Sequence, residues 1–387
     1  MHHLDQVSAV HRFLEHLRNA TTDLAPAVLR LPASVYTDAA HHRRERDRLW
    51  RERPVVAGLS ADLPEPGSWF TADVGAVPLL VTRDADGRAR AFVNGCRHRG
   101  GRIADGRGRA EGRVFRCPFH SWTYAIDGCL VAIPEAEDAF AALDRSAFGL
   151  HERSCAEHAG VILVRAVGDG PLDGADLLRG VAGDLTALGI PDYHHFETKT
   201  TEWKCNWKLA LDTFLESYHV FSLHRESVHP WYFSQPMIYD GFGSNLRFPV
   251  FRRTVEKLAE SPESTWELAD HATLQWWVAP NALFSYTRDE LFLWRFHSPR
   301  PDRCVAVTSL YTRSPATTED ATNRLEEAFA LQLQVAGRED FPMQEKVQEV
   351  LGSRALPEIV FGRNEVAAIH FHRALEDLLA HDPEGDG

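Results

Sequence analysis

The chain has 387 residues, 44% of them hydrophobic and 25% charged, with a formal net charge of −13. That length accommodates two domains, each with its own core, and the acidic balance argues against nucleic acid as a partner, since phosphate binding relies on clustered lysine and arginine. No apolar run approaches the roughly 20 residues of a membrane span, and the opening residues alternate polar with apolar where a signal peptide would be continuous, so a cytoplasmic protein with no membrane partner is expected.

In chain order, residues 1–50 are expected to form an N-terminal helical segment, with Val10, Phe13, Leu14 and Leu17 on one apolar face. Residues 51–166 read as a small β domain. The runs SWFTADV, VPLLVTRD and ARAFVNG are short strands, Asp86–Gly87 and Asp127–Gly128 are hairpin signals, and GVILVRA closes the region. The stretch VGDGPLDGADL then marks a boundary. Residues 167–387 are expected to form a larger second domain. It would open with FETKTTEWKC as a strand and NWKLALDTFLESYHVFSLH as a long helix, followed by antiparallel strands across 272–313 and helices near 317–336 and 364–380. The fold class is therefore α+β.

Six cysteines are too few for a disulfide framework and favour thiol or metal-ligand roles. Within the first domain, CRHRGG and CPFHSW place Cys96 with His98 and Cys117 with His120. Each stretch is built as a tight loop: Gly100 and Gly101 widen the backbone options of the first, and Pro118 stiffens the second. A structural zinc ion would accept a Cys₂His₂ set but more often pairs like ligands together. Mixed Cys/His pairs instead suit a cluster with one iron in thiolate and the other in imidazole coordination. Arginines between 97 and 116 are a local exception to the acidic balance, open to two readings: a face for an acidic electron donor, or plain solvated charge.

The segment CRHRGG…CPFHSWTYAIDGCL resembles the Rieske motif in the large catalytic subunit of the ring-hydroxylating oxygenases. The resemblance implies that Cys96, His98, Cys117 and His120 hold a [2Fe–2S] cluster, with the cysteines on one iron and the histidines on the other. Ser121 departs from the family, which usually has glycine there.

A second motif lies in the expected long helix. Asp212, Glu216 and His219 fall at spacings of four and three, on one helical face. His219 and His224, five apart, would diverge by about 140° on a regular helix, so both reach one metal only if the helix ends, loosens or bulges between them. Asn206, Trp207, Lys208, Asp212, Phe214, Glu216, Tyr218, His219 and His224 match the same family's pattern in order. In REDFPMQEKVQEVLGS, Asp340 resembles its third, carboxylate ligand, with Glu339, Glu345 and Asp320 as competitors.

The resemblance implies an N-terminal Rieske β domain and a C-terminal helix-grip domain, in which a curved antiparallel sheet wraps a helix near a mononuclear Fe(II) held by His219, His224 and Asp340. It implies O₂ as co-substrate and electrons from NAD(P)H through a separate reductase, with or without a ferredoxin. It also implies a homotrimer in which Glu216 bridges His219 to the Rieske histidine of a neighbouring chain, and a small-molecule substrate that is hydroxylated or oxidatively demethylated. Glu216, where ring dihydroxylators have aspartate, resembles the branch acting on quaternary amines and leans the reading towards monooxygenation. An aromatic cis-dihydroxylating dioxygenase and a Rieske electron-transfer protein with an inactive second site are the alternatives. Pocket walls are expected from Trp231, Tyr232, Phe233, Phe248, Phe251, Trp276, Trp277, Phe284 and Trp294, and Arg247 or Arg295 as a holder of a substrate carboxylate.

Overall fold

A computed structural model describes residues 1–381, and the chain divides into two compact units. One is Asp47–Leu177; the other joins Met1–Arg46 to the chain from Leu178 onward. The first 46 residues, expected as a helical segment in their own right, thus fold with the C-terminal part.

The 47–177 unit is built from three antiparallel sheets. In the five-stranded one, Ser68–Val74, Val77–Arg83 and Ala89–Val93 run in sequence, flanked by Glu152–Arg153 and Arg107–Arg109. Val161–Val164 is buried throughout because it is the middle strand of its three-stranded sheet, between Cys155–His158 and Val55–Leu59. Both Asp–Gly pairs make turns. At Gly128 the requirement is strict, since φ is +84° and a Cβ there would lie 2.5 Å from the Phe92 ring. Leu80, Phe92, Phe115, Trp122 and Tyr124 pack with Cys96 and Cys117 in one buried cluster.

In the other unit, helix α1 (His3–Asn19) buries Val10 and Phe13 as its periodicity predicts, and Phe13 stacks on Phe251 at 3.9 Å. Helix α2 (Ala39–Glu45) is capped by the Asp38 side chain. The expected long helix over 206–224 does not form. Helix α3 covers only Trp207–Asp212, and a 3₁₀ turn, Tyr218–Phe221, follows after a break.

A seven-stranded antiparallel sheet backs these helices. Its strands are β1 (His194–Trp203), β2 (Asp240–Phe242), β3 (Asn245–Phe251), β4 (Ala272–Val278), β5 (Ala282–Thr287), β6 (Glu290–Arg300) and β7 (Arg303–Thr312). The order is β1-β7-β6-β5-β4-β3-β2, a meander in which the first strand returns beside the last. Helices α4 (Glu319–Val335) and α6 (Val366–Ala380) lie close to where periodicity places them, and α5 (Phe341–Gly352) adds a helix that sequence reading did not separate. One face of the sheet meets the helices: Phe292 packs near Phe329 of α4, Trp294 near Phe214 just beyond α3, and Trp277 near Phe371 of α6. Among the described residues no helix is long and apolar enough to cross a membrane.

Helix α3 has all six residues buried, although two are charged. Asn206 caps it through the Lys208 N–H and donates to the Tyr36 and Pro301 carbonyls. Lys208 Nζ donates to Glu45 Oε1 at 2.5 Å, both side chains being 1% exposed, and Trp207 Nε1 donates to the other oxygen at 3.1 Å. Burial alone would raise the Glu45 carboxyl, but the Lys208 ammonium and His41 outweigh it and hold Glu45 down at about 2. Asp212 accepts from Tyr36 Oη at 2.9 Å and pairs with His372 Nε2 at 2.7 Å.

Removing one member of a buried ion pair strands the other charge. Glu45→Ala should therefore lower the stability of this unit by about 3–5 kcal/mol, whereas Glu45→Leu combined with Lys208→Met should cost far less. Urea unfolding followed by tryptophan fluorescence measures the difference, and equal losses in the two proteins would contradict the pairing argument.

Candidate metal centres

The first centre forms where two loops of the 47–177 unit meet. His98 and His120 have ring centroids 4.6 Å apart, and the Cys96 and Cys117 thiols lie against each other in the core beside them. Tyr124 Oη lies 3.3 Å from Cys96 Sγ and accepts the Arg97 N–H at 2.9 Å, which pins the first loop. In that loop Gly100 adopts φ +76°; in the second, Ser121 adopts φ +59°. Ser121 thus occupies a left-handed turn that explains why glycine suits the position, at a cost of about 1 kcal/mol to a residue bearing a side chain. His98 lies flat against Trp122, 5.1 Å away and 7° from parallel, and its Nδ1 is buried without a hydrogen-bond partner. A buried ring nitrogen without a partner, beside a second imidazole and two thiols, fits a Rieske cluster. Burial pushes the Cys96 thiol up, so a metal is what would hold it as thiolate.

The second centre lies just past α3. His219, His224 and Asp340 each present one ligand atom, all within 4.8 Å of one another. Asp340 Oδ1 is 3.0 Å from His224 Nε2 and 3.5 Å from His219 Nε2. Two imidazoles and one carboxylate are the donor set that leaves positions free on non-haem Fe(II), and the clustering fits that ion.

The helix break is what brings the two histidines together. Glu216 Oε2 accepts the His219 backbone N–H at 3.0 Å, capping the new 3₁₀ turn, while Oε1 grips His219 Nδ1. Ser217 ties the break down by donating to the Ser234 carbonyl at 2.7 Å. The other carboxylate of the motif parts company: Asp212 faces Tyr36 and His372. Thr213, unremarked in the sequence, donates to Asp340 Oδ1 at 3.1 Å.

Asp340 comes from a π-helical turn, Ala336–Asp340, between α4 and α5. The competing carboxylates are otherwise engaged. Glu345 accepts the Lys204 N–H, Asp320 is exposed in the first turn of α4, and Glu339 Oε2 lies 2.7 Å from His224 Nδ1. Burial opposes a charged His224, yet Asp340 and Glu339 raise its pKa above the ordinary 6.5, so this corner attracts positive charge. Glu365, also missed, is pushed up to about 7 by burial and by Glu216 and Asp212 nearby.

Of the expected pocket aromatics, Phe248, Trp277 and Trp294 lie on the sheet face that meets the helices. Trp276 and Phe284 lie on the opposite face, where Trp276 Nε1 donates to Asp184. Trp231 is exposed, Phe233 and Phe251 pack on Phe13, and Tyr232 is hydrogen-bonded to Arg252 and Thr273. Neither arginine fits its expected part. Arg247 is held by Asp184 and Asp240, and Arg295 lies on the face away from Trp294, donating to Ser309.

Two family descriptions match, a Rieske [2Fe-2S] domain over residues 53–144 and a ring-hydroxylating alpha subunit catalytic domain over 190–381. The choline monooxygenase of Spinacia oleracea, a chloroplastic protein, is 28% identical over 360 residues, covering 90% of this chain and 78% of that one. The fold is also that of a quaternary ammonium Rieske monooxygenase of carnitine oxidation (TM-score 0.77, 21% identity, 92% and 96% of the two chains). It is likewise that of naphthalene 1,2-dioxygenase from Rhodococcus sp. (TM-score 0.75, 19% identity, 97% and 99%). With a Rieske domain ahead of a ring-hydroxylating catalytic domain, the chain belongs to the Rieske non-haem iron oxygenases, enzymes that use O₂ and reductase-derived electrons to oxidise small organic molecules.

Proposed function

We propose that the enzyme monooxygenates a small quaternary ammonium compound, hydroxylating it or removing an N-methyl group. The observation that carries this reading is a buried indole, Trp294, close to the residue that follows Asp340, with a second, Trp277, on the same face of the sheet. Trp277 and Trp294 are fully buried, and Phe341, next in sequence to Asp340, is 6.3 Å from Trp294. Indole faces attract a cation whose charge cannot be neutralised by a proton transfer. Trp277 Nε1, Trp294 Nε1 and Thr308 Oγ1 are buried without protein partners and suit an acceptor group, hydroxyl or carboxylate, on the same molecule. The choline and carnitine enzymes resembled above act on compounds of that kind, which agrees with the Glu216 signature.

His219, His224 and Asp340 are the proposed iron ligands, and Cys96, His98, Cys117 and His120 the cluster ligands. When bound, the cluster and iron supply single electrons and O₂ activation. The balance is one N–CH₃, O₂, two electrons and two protons giving N–CH₂OH and water; loss of formaldehyde and a proton from a methyl so hydroxylated leaves the tertiary amine. Protein groups hold the substrate nitrogen against the indoles, keep both imidazoles in register and exclude bulk water.

In this reading the protein is a cytoplasmic homotrimer fed by a separate reductase, with or without a ferredoxin. Glu216 joins His219 to His120 of the partner subunit. Support comes from aromatic exposure at both ends of the bridge: Tyr218 and Phe221 close in sequence to His219, and Phe119 beside His120. Within one chain Arg99 donates to His120 Nε2 at 2.7 Å, so Arg99 swings aside when the bridge forms.

A screen of choline-like and carnitine-like compounds against naphthalene and biphenyl, with a surrogate reductase and ¹⁸O₂, tests the function. One labelled oxygen in an alcohol or aldehyde product is expected; a cis-diol carrying two would replace this reading with ring dihydroxylation.

Glu216→Gln keeps the size of the side chain and removes its charge. Both metal contents should stay intact while single-turnover product formation falls about 100-fold or more; wild-type rates would remove Glu216 from the electron route. Asp340→Ala should lose mononuclear iron yet keep the Rieske absorption, and metal analysis decides.

The pH dependence follows from His224. Its folded pKa is raised, so in iron-free protein its contribution to stability is full below 6.5 and is lost as pH rises through the higher folded value. Iron needs the neutral ring, so its binding should tighten over the same rise. Melting temperatures of iron-free and iron-loaded protein, measured between about pH 5.5 and 8.5, should accordingly diverge as pH increases.

A further inference from the structure

We infer that Glu339 is a positioning residue that fixes the tautomer and ring plane of His224, so that Nε2 and not Nδ1 is the nitrogen offered to iron. The inference rests on reading His219, His224 and Asp340 as the ligands. An imidazole has two candidate donor nitrogens, and the one that carries a proton cannot bind a metal. Glu339 Oε2 stands 2.7 Å from His224 Nδ1, where a carboxylate accepts the N–H. On the opposite edge of the ring, Nε2 faces Asp340 Oδ1 at 3.0 Å. Two consecutive residues thus bracket one imidazole, the first on the nitrogen to be kept protonated and the second on the nitrogen to be kept bare.

The backbone explains how neighbours can do this. Pro342 sits in the first turn of α5 and has no N–H to return to the preceding turn, and the chain there adopts the wider π form over Ala336–Asp340. A π turn rotates successive side chains by less than the ~100° of an α-helix, which brings Glu339 and Asp340 to the same ring. Glu339 is itself held: Ser227 Oγ donates to the same Oε2 at 2.7 Å, three residues beyond His224. The clamp therefore joins the histidine segment to the carboxylate segment across 115 positions of chain. Glu216 holds His219 from within its own segment. Both imidazoles consequently present Nε2 to Asp340 while a carboxylate covers Nδ1.

The test compares full-length wild type, Glu339→Gln, Glu339→Ala, Ser227→Ala and Asp340→Ala. All are stripped of mononuclear iron and titrated with Fe(II) against a coloured chelator, then examined by EPR with nitric oxide as the probe of ligand symmetry. Rieske absorption reports that each variant has folded. Glu339→Gln still accepts the N–H without charge and should weaken Fe(II) binding about 10-fold, Glu339→Ala about 100-fold, with an altered EPR line shape that Glu339→Gln largely restores. Ser227→Ala should fall between wild type and Glu339→Gln. Wild-type affinity and line shape in both Glu339 variants, with Asp340→Ala losing iron, would overturn the inference and leave the ligand reading standing. Retention of iron by Asp340→Ala with its complete loss in Glu339→Ala would make Glu339 the ligand and overturn both. If Glu339→Ala does not fold, Glu339→Gln with Ser227→Ala decides on the same criteria.

Discussion

The catalytic unit depends on neutralising the charges of one short buried helix. Lys208 and Asp212, one turn apart on the same side of α3, have almost no exposure, and a bare charge there would cost several kcal/mol. Glu45 of α2, itself bonded to His41, answers the first; Tyr36 and His372 of α6 answer the second. Residues 34–45 and the last described helix are thereby bound into one core with α3, which explains why the first 46 residues belong to this unit. The N-W-K signature is part of the same device. Asn206, Trp207 and Lys208 all bond to Tyr36, Glu45 or the helix end, so these residues anchor the helix and take no direct part at the metal.

With α3 held, its end is free to be specialised. After Asp212 the next acid, Glu216, does the opposite of what a continuous helix would impose. Glu216 turns back to cap the following turn and hold His219, and the added bend swings His224 towards the same point. Asp340 arrives from a second irregular turn, of π type, and Thr213 ties it to the α3 end. The centre is built on two deliberate departures from α-helical geometry, and each is secured by side-chain hydrogen bonds to groups that the irregular backbone exposes.

Apolar packing determines what surrounds the centre. Phe214 lies against Trp294, Phe296 and Phe341, linking the end of α3 and the start of α5 to the sheet. Because side chains alternate across a strand, Trp276 and Trp277 lie on opposite faces despite being adjacent: one donates to Asp184, the other meets Phe371. Arg247 and Arg295 are removed from any substrate role by the same alternation and by their acidic or hydroxyl partners.

Much of this was legible in the sequence. The mixed Cys/His pairs, the β-rich first half, the antiparallel run over 272–313 and two of the later helices all follow from spacing and periodicity, which are local properties of the chain. The five-residue spacing of His219 and His224 even indicated that the two could meet only if the helix were interrupted, and it is. What local pattern could not decide was how that helix would fail. Its interruption depends on Glu216 choosing the His219 N–H over solvent, and on Tyr36 and His372 claiming Asp212 from segments more than 150 positions away in each direction. The same holds for Glu339, Thr213 and Glu365: each gains its meaning from a neighbour distant in sequence, and burial, which sets the strength of those contacts, exists only once the sheet and helices have closed.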